Sequence, residues 1–159
     1  MTNPLSPDAQ SFQDGLRNRG YSFEVVEHTQ TTHSAKEAAQ AIGCSLGQIA
    51  KSLIFRKSSS QLPLLVIASG PNRVNELNLG EKLGEVFEKA DPDFVLSSTG
   101  FAVGGVPPTC LSGTFETIID KDLLQYDQIW AAAGSPNAVF RLTPADLIEM
   151  TGGKVLSIK

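Results

Sequence analysis

The segment from Ser98 to Pro108, Ser-Thr-Gly-Phe-Ala-Val-Gly-Gly-Val-Pro-Pro, is the stretch around which we interpret the chain. It is too apolar for a surface linker and too rich in glycine and proline for a helix or a central strand. Its glycines can adopt backbone conformations closed to other residues and leave their N–H groups open to close approach. The segment therefore predicts a loop, either a buried connection between strands or a binding loop for a small polar ligand.

The composition is typical of one globular domain, which we place over residues 1–159. The chain is 41% hydrophobic and 19% charged, and it has two cysteines that form no Cys-X-X-Cys motif. These features, with no secretory signal or membrane-spanning run, predict a cytoplasmic protein with no membrane partner. The net charge of −4 argues against broad binding along nucleic acid but permits a local basic patch that meets one end of an RNA.

Capping and periodicity signals predict a mixture of short helices and strands. Helices are expected after Ser6-Pro7, over about 7–19, after the capping box at Ser34 to Glu37, and after Thr143-Pro144. Ile49 to Lys57 and Leu62 to Ala68 resemble the two strands of a hairpin. Because helices and strands do not alternate regularly, we predict an α+β fold with a mixed, barrel-like sheet of about seven strands and flanking helices.

Lys51 is the second informative feature. Strict alternation along its strand places it on the same face as the apolar residues Ile49 and Leu53. One interpretation is a rim lysine whose aliphatic stem packs on the core. The other is a cation at the mouth of a cavity, where its charge meets an anion or a carbonyl oxygen.

Several motifs that carry chemistry do not occur in the sequence. There is no Gly-X-Gly-X-X-Gly after a strand, no P-loop, no His-Glu-X-X-His and no Gly-X-Ser-X-Gly. His28 and His33 are five residues apart with no nearby cysteine, which is a poor metal site. Neither a metal nor an organic cofactor is expected. The residues alone therefore predict an α+β domain with one glycine loop and one unusually placed lysine.

Those two features resemble the YbaK/prolyl-tRNA synthetase-associated family of editing domains. Ala50-Lys51-Ser52-Leu53-Ile54-Phe55 is similar to the strand that carries the family's central lysine, and Ser98 to Pro108 is similar to its signature loop. Weaker matches extend the resemblance over about residues 20–158. The resemblance implies a stand-alone trans-editing enzyme that hydrolyses the ester of mischarged aminoacyl-tRNA, often tRNA(Pro), with prolyl-tRNA synthetase as a candidate partner.

The same resemblance implies a set of site residues. Lys51 and the N–H groups of Gly104 and Gly105 would position the ester and stabilise the oxyanion of the tetrahedral intermediate. Water would attack, aided by the 2′-hydroxyl of the substrate. Candidate substrate-binding residues are Thr32, Ser52, Gly100, Phe101, Gly134 and Ser135. A patch for RNA contact is expected from Lys36, Lys51, Arg56, Lys57 and Arg73.

Three departures from the best-known branch of the family leave the amino acid open. That branch, which removes cysteine, has Thr where this chain has Ser52, Asp where it has Val139, and Gly-Gly where it has Ala133-Gly134. Cysteine, alanine, serine or another small amino acid is therefore expected. The alternatives from other functional classes are a non-catalytic RNA-binding module and a protein that binds an aminoacyl-adenylate-like ligand.

Overall fold

A computed structural model describes residues 4–28, 34–113 and 115–159. Within these ranges it confirms the α+β prediction. The helices are α1 (Pro7–Asn18), α2 (Ala35–Ile42), α3 (Glu76–Leu83), α4 (Pro92–Thr99) and α5 (Pro144–Thr151). The strands are β1 (Val25–Glu27), β2 (Ile49–Lys57), β3 (Pro63–Ser69), β4 (Phe87–Lys89), β5 (Glu116–Asp120), β6 (Ile129–Ala132), β7 (Ala138–Leu142) and β8 (Lys154–Leu156). No helix in the described ranges is long and apolar enough to cross a bilayer.

The strands form one mixed sheet in the order β1-β7-β6-β2-β3-β5-β8, and β4 pairs separately with β2. The predicted hairpin of β2 and β3 is antiparallel, whereas β2 is parallel to β6 and β3 is parallel to β5. The mixed sheet is thus confirmed, with eight strands where about seven were expected. Among the described residues, β1 and β8 stand at opposite ends of the strand order.

Helix caps lie where the sequence predicts them. The Ser34 hydroxyl accepts a hydrogen bond from the Glu37 N–H at 3.1 Å, and Thr143 forms a reciprocal capping box with Asp146. β1 begins only at Val25, although the alternating residues from Tyr21 to Glu27 are rich in β-formers and favour a longer strand. The buried Gln13 side chain donates a hydrogen bond to the Phe23 carbonyl and accepts one from the Val25 N–H. Gln13 therefore satisfies main-chain groups that a neighbouring strand would otherwise bind.

The two faces of β2 pack against different partners. Ala50 and Ile54 belong to the main core, to which α1, α4 and α5 contribute. On the opposite face, Phe55 joins a second cluster with Leu79 of α3, while Ile49 packs against the alanines of α2. Lys51 shares this second face. It therefore lies on the strand between the α2 contact and the α3 contact.

One edge of β2 is incompletely paired. β3 pairs with the opposite edge of β2 from Ala50 to Arg56. On the incompletely paired edge, β6 pairs only at Ile49 and Ala50, and β4 pairs only from Phe55 to Lys57. We call the edge between them, residues 51–54, the β2 gap. The Ala90 N–H donates to the Ile54 carbonyl from the β4 side. Because main-chain groups alternate in direction along a strand, the Ser52 N–H and C=O also face the gap.

The glycine loop, residues 100–108, is fixed by a close main-chain contact with the turn between β6 and β7. The Gly134 N–H donates to the Gly105 carbonyl at 3.0 Å. A Cβ on Gly105 would lie 2.9 Å from Ser135 Cα, and one on Gly134 would lie 2.6 Å from the Asp8 carbonyl oxygen. Gly134 also has a φ of +102°. Both positions therefore need glycine for close approach.

We predict that Gly134→Ala destabilises the protein more than Gly20→Ala. Gly20 has a φ of +84° with no heavy atom within 4 Å of an added Cβ, so it isolates the cost of the left-handed backbone, about 1–2 kcal/mol. Gly134→Ala adds overpacking against Asp8, about 1–3 kcal/mol more. Urea unfolding of the two variants measures the difference, and equal free energies of unfolding would contradict the proposed contact.

Candidate active site

Two cavities meet where the β2 gap faces the glycine loop. The larger has a volume of about 520 Å³ and the smaller about 240 Å³. Both are lined by one shared set of residues: Lys51, Ser52 and Leu53 from β2, and Val103, Gly104 and Val106 from the loop. The absence of a paired strand at the gap is what leaves room for this junction.

The smaller cavity is lined mostly by apolar residues, of which six are alanines. Its described lining comes from α2, β2, the glycine loop, β6, the turn between β6 and β7, and the start of β7, and Lys51 is the one charged residue in it. Besides the shared residues, the lining includes Ser34, Ala35, Ala38, Ile49, Ala50, Trp130, Ala131, Ala132, Pro136, Ala138 and Val139.

The larger cavity has a charged rim and an apolar floor. Arg73, Glu76 and Lys89 are its other charged residues, and all three are exposed. Val74, Ala90 and Val95 contribute apolar surface. The two cavities therefore offer different environments on either side of Lys51.

Lys51 is half-buried at the junction, and its ammonium group has no hydrogen bond or ion pair to any other described residue. Burial lowers the pKa of Lys51 below its ordinary value, and repulsion from Arg73 lowers it further, against a weaker opposing effect of Asp120. A cation held without a counterion is available to meet an anion or a developing negative charge.

Ser52, the next residue along β2, has one unsatisfied polar group on the core face of the strand. Its hydroxyl oxygen is buried without a hydrogen-bond partner in the described part of the chain. Leaving such a group unpaired costs about 1–3 kcal/mol.

The two loop glycines that were expected to donate N–H groups differ in availability. The Gly105 N–H donates to the Ala102 carbonyl at 3.0 Å, which closes a four-residue turn. Gly104, with a φ of +91°, occupies the third position of that turn, where type II turns require glycine. The Gly104 N–H has no partner among the described residues, and Gly104 lines both cavities. Gly104, rather than Gly105, therefore has the available donor.

Of the other predicted binding residues, Gly100, Phe101, Gly134 and Ser135 do not line either cavity. Gly100 ends α4 with a φ of +85°, and Phe101 packs in the main core. Gly134 holds Gly105 as described above. The Ser135 hydroxyl donates to the Glu27 carboxylate at 2.7 Å. Thr32 lies outside the described residues.

Glu27 joins three parts of the chain near the turn between β6 and β7. Besides the Ser135 hydroxyl, its carboxylate accepts hydrogen bonds from the Ser6 N–H and the Ser6 hydroxyl. Burial alone would raise the pKa of Glu27, but the hydrogen bonds from Ser135 and Ser6 outweigh it and the pKa is lowered. This anchor fixes the turn on which the glycine loop rests.

The structure changes the expected basic patch. Lys57 is buried and pairs with Glu85 at 3.4 Å and Glu116 at 3.2 Å, so its inclusion in an RNA-contacting patch is wrong. Arg56 pairs with Glu88 at 3.0 Å. Arg73 stands at the cleft, where it is joined by Lys89, which the sequence reasoning missed. Only the pairing of β4 with β2 brings Lys89 there, and no local signal indicates that pairing.

No cluster of three or more His, Cys, Asp and Glu side chains able to hold a metal ion occurs in the described ranges. The cleft instead combines the unpaired Lys51 ammonium group with the free Gly104 N–H. This arrangement can bind a carbonyl oxygen and stabilise negative charge on it.

A family model for the aminoacyl-tRNA editing domain matches residues 29–150, which include β2 and the glycine loop. The chain belongs to the aminoacyl-tRNA editing domain family. The resemblance inferred from Lys51 and the glycine loop is thereby confirmed.

Two proteins of known sequence and one solved structure are similar to the chain. It is 33% identical over 132 residues to the uncharacterized protein YwhH of Bacillus subtilis, covering 83% of each chain. It is 25% identical over 129 residues to EbsC of Enterococcus faecalis, a candidate Cys-tRNA(Pro)/Cys-tRNA(Cys) deacylase, covering 79% of this chain and 76% of that protein. The crystal structure of a candidate trans-editing enzyme for prolyl-tRNA synthetase is similar with a TM-score of 0.93 and 41% identity, covering 98% of this chain and 99% of that one.

We predict that Lys51 titrates below the ordinary lysine value of 10.5 and that Arg73→Ala raises its pKa, because one repelling charge is removed. Lys89→Ala is the matched control, since Lys89 lines the same cavity but does not contribute to the shift of Lys51. NMR titration of the Lys51 side chain measures the pKa. An unchanged pKa in Arg73→Ala would contradict this description of the cleft.

Proposed function

We propose that this protein is a trans-acting editing hydrolase that removes a small amino acid from mischarged tRNA, with tRNA(Pro) as the preferred acceptor. The observation that carries the proposal is the unpaired Lys51 ammonium group at the junction where the free Gly104 N–H also lies. Family membership supports the deacylase activity. The descriptions of the Enterococcus relative and of the similar crystal structure support tRNA(Pro) and prolyl-tRNA synthetase as the substrate and partner.

In this proposal the ester of the aminoacyl-tRNA lies at the junction of the two cavities. Lys51 attracts the carbonyl oxygen and makes the carbonyl carbon more electrophilic. As the oxygen gains negative charge in the tetrahedral intermediate, the Gly104 N–H donates to it. Such preorganised donors are worth more in a cleft that excludes water than in bulk solvent.

Water is the proposed nucleophile, because the described lining of the two cavities contains no histidine and no cysteine. The oxygen of water forms a bond to the ester carbonyl carbon and loses a proton. The intermediate then expels the ribose oxygen, which takes up a proton. The free amino acid and the uncharged tRNA are the products, and the substrate's own 2′-hydroxyl is placed to assist the proton transfers.

The smaller cavity is the proposed site for the amino-acid side chain. Six alanines are among its lining residues, and apart from Lys51 its described lining is uncharged. Such a site favours alanine, cysteine or another small side chain over a charged one. Hydrophobic contact discriminates one methylene by only about 1–3 kcal/mol, so a narrow group of small amino acids is expected rather than one.

We predict that the protein hydrolyses tRNA(Pro) carrying at least one of alanine, cysteine and serine, and does so faster than it hydrolyses tRNA(Pro) carrying proline. Lys51→Ala should lower kcat/KM about 10²- to 10³-fold, as for loss of one oxyanion donor, and Lys51→Arg should recover part of the rate by restoring the charge. Lys121→Ala, an exposed lysine outside both cavities, serves as the control and should retain the wild-type rate.

The outcomes separate the alternatives. Tight binding of the RNA without hydrolysis of any ester would favour a non-catalytic RNA-binding module. Hydrolysis that is equally fast in Lys51→Ala would contradict the assigned role of Lys51 while leaving the deacylase activity in place.

A further inference from the structure

We propose that Asp120 is a positioning residue for Lys51, and that its buried carboxylate keeps the Lys51 ammonium group charged in the cleft. Asp120 ends β5 and lines neither of the two cavities. It therefore acts on the ester only through Lys51. Its part in hydrolysis rests on the proposed function, whereas the electrostatic coupling of the two side chains does not.

The sheet places Asp120 and Lys51 in one row across three strands. Lys51 of β2 pairs directly with Ala68 of β3. β3 is parallel to β5 and pairs with it as far as Ile67 and Ile119. One residue further along, Ala68 lies beside Asp120. At a strand spacing of about 4.8 Å, the Cα atoms of Lys51 and Asp120 are roughly 10 Å apart. The three side chains share one face of the sheet, and only the methyl group of Ala68 stands between the two charges.

Asp120 is the one fully buried carboxylate in the described part of the chain, with 1% of its surface exposed. Its oxygens accept hydrogen bonds from the Ser69 N–H at 3.0 Å, the Asn72 side chain at 2.8 Å and the Asp122 N–H at 3.0 Å. All three partners are donors, so the group only accepts, as an ionised carboxylate does. Because the carboxylate is shielded from solvent, its charge acts on Lys51 with less screening than a surface charge would.

Other influences on the Lys51 charge oppose it or come from the surface. Burial lowers the pKa of Lys51 and Arg73 lowers it further, whereas Asp120 raises it. Glu76 of α3 and Lys89 of β4 line the larger cavity, but both are exposed. The described lining from α2, β6, β7 and the glycine loop is uncharged. Asp120 is therefore the buried charge that favours the ammonium form.

A purely structural role for Asp120 is the alternative. Its side chain caps the short 3₁₀ helix Lys121–Gln125 and, through Asn72, holds the turn that carries Arg73. A variant that only loosened this turn would lower activity at every pH. Loss of the charge alone would lower activity only where Lys51 begins to lose its proton. The pH dependence therefore separates the two roles.

NMR titration of the Lys51 side chain tests the coupling without requiring hydrolysis. At the pH where wild-type Lys51 is half protonated, it should be less than half protonated in Asp120→Asn and more than half protonated in Arg73→Ala. The double variant should lie between the two single variants, because an attracting and a repelling charge are both removed. Asp122→Asn is the matched control. Asp122 is a neighbouring carboxylate that pairs with Lys159 at 3.1 Å and does not contribute to the shift of Lys51, so the Lys51 pKa should stay unchanged.

The pH dependence of deacylation gives the second readout. The ratio of kcat/KM in Asp120→Asn to that in the wild type should approach one at low pH, where Lys51 is protonated in both proteins. The ratio should fall as the pH rises, because Lys51 loses its proton first in the variant. Spontaneous hydrolysis of the ester, measured without protein, is subtracted at each pH. A ratio that is below one and constant with pH would show a structural role and overturn the proposal.

Asp120→Ser is the second neutral variant, since its hydroxyl can still cap the helix by accepting from the Asp122 N–H. An unchanged Lys51 pKa in a neutral variant that folds would overturn the proposal. Failure of both variants to fold, seen as loss of the dispersed amide spectrum, would also overturn it by making Asp120 a structural residue. If the Lys51 pKa falls as predicted but the wild type hydrolyses no ester, the proposed function fails and the coupling stands.

Discussion

The site depends on one constraint in the sheet, which is that no single strand pairs with the whole of one edge of β2. β6 pairs with that edge at its first two residues and β4 at its last three. The residues between them face the glycine loop instead of a strand. A continuous strand there would satisfy the Ser52 main chain and fill the junction of the two cavities. The helix and strand arrangement thus produces a cleft without any special catalytic motif.

The cleft is formed at some expense of stability. The Ser52 hydroxyl is buried without a partner, and Lys51 holds its charge without a counterion in the described residues. Because the pKa of Lys51 is lowered on folding, its protonated form opposes folding. This penalty is present in full below the folded-state pKa and is relieved as the pH rises from there toward the unfolded value. The main core and the Glu27 anchor offset such costs while fixing the loop.

Local signals in the sequence predict the helices well, because caps and prolines act over a few residues. Ser34 and Thr143 are N-caps as expected. The family resemblance depends on two short segments, and those segments do form the two sides of the cleft.

The features that the sequence could not indicate arise from pairing between distant parts of the chain. The Gly105 N–H was expected to be a donor but is used inside its own turn, Lys57 is buried among glutamates, and Lys89 reaches the cavity only through the β2–β4 ladder.

The central claim is that an aminoacyl ester lies between the β2 gap and the glycine loop. The most direct measurement is NMR mapping of amide shifts on addition of a non-hydrolysable analogue, 3′-alanylamino-3′-deoxyadenosine. The account predicts the largest changes at the Ser52 and Gly104 amides. Changes confined to another cavity, such as that between α1 and β1 around Gln13 and Arg17, would contradict it.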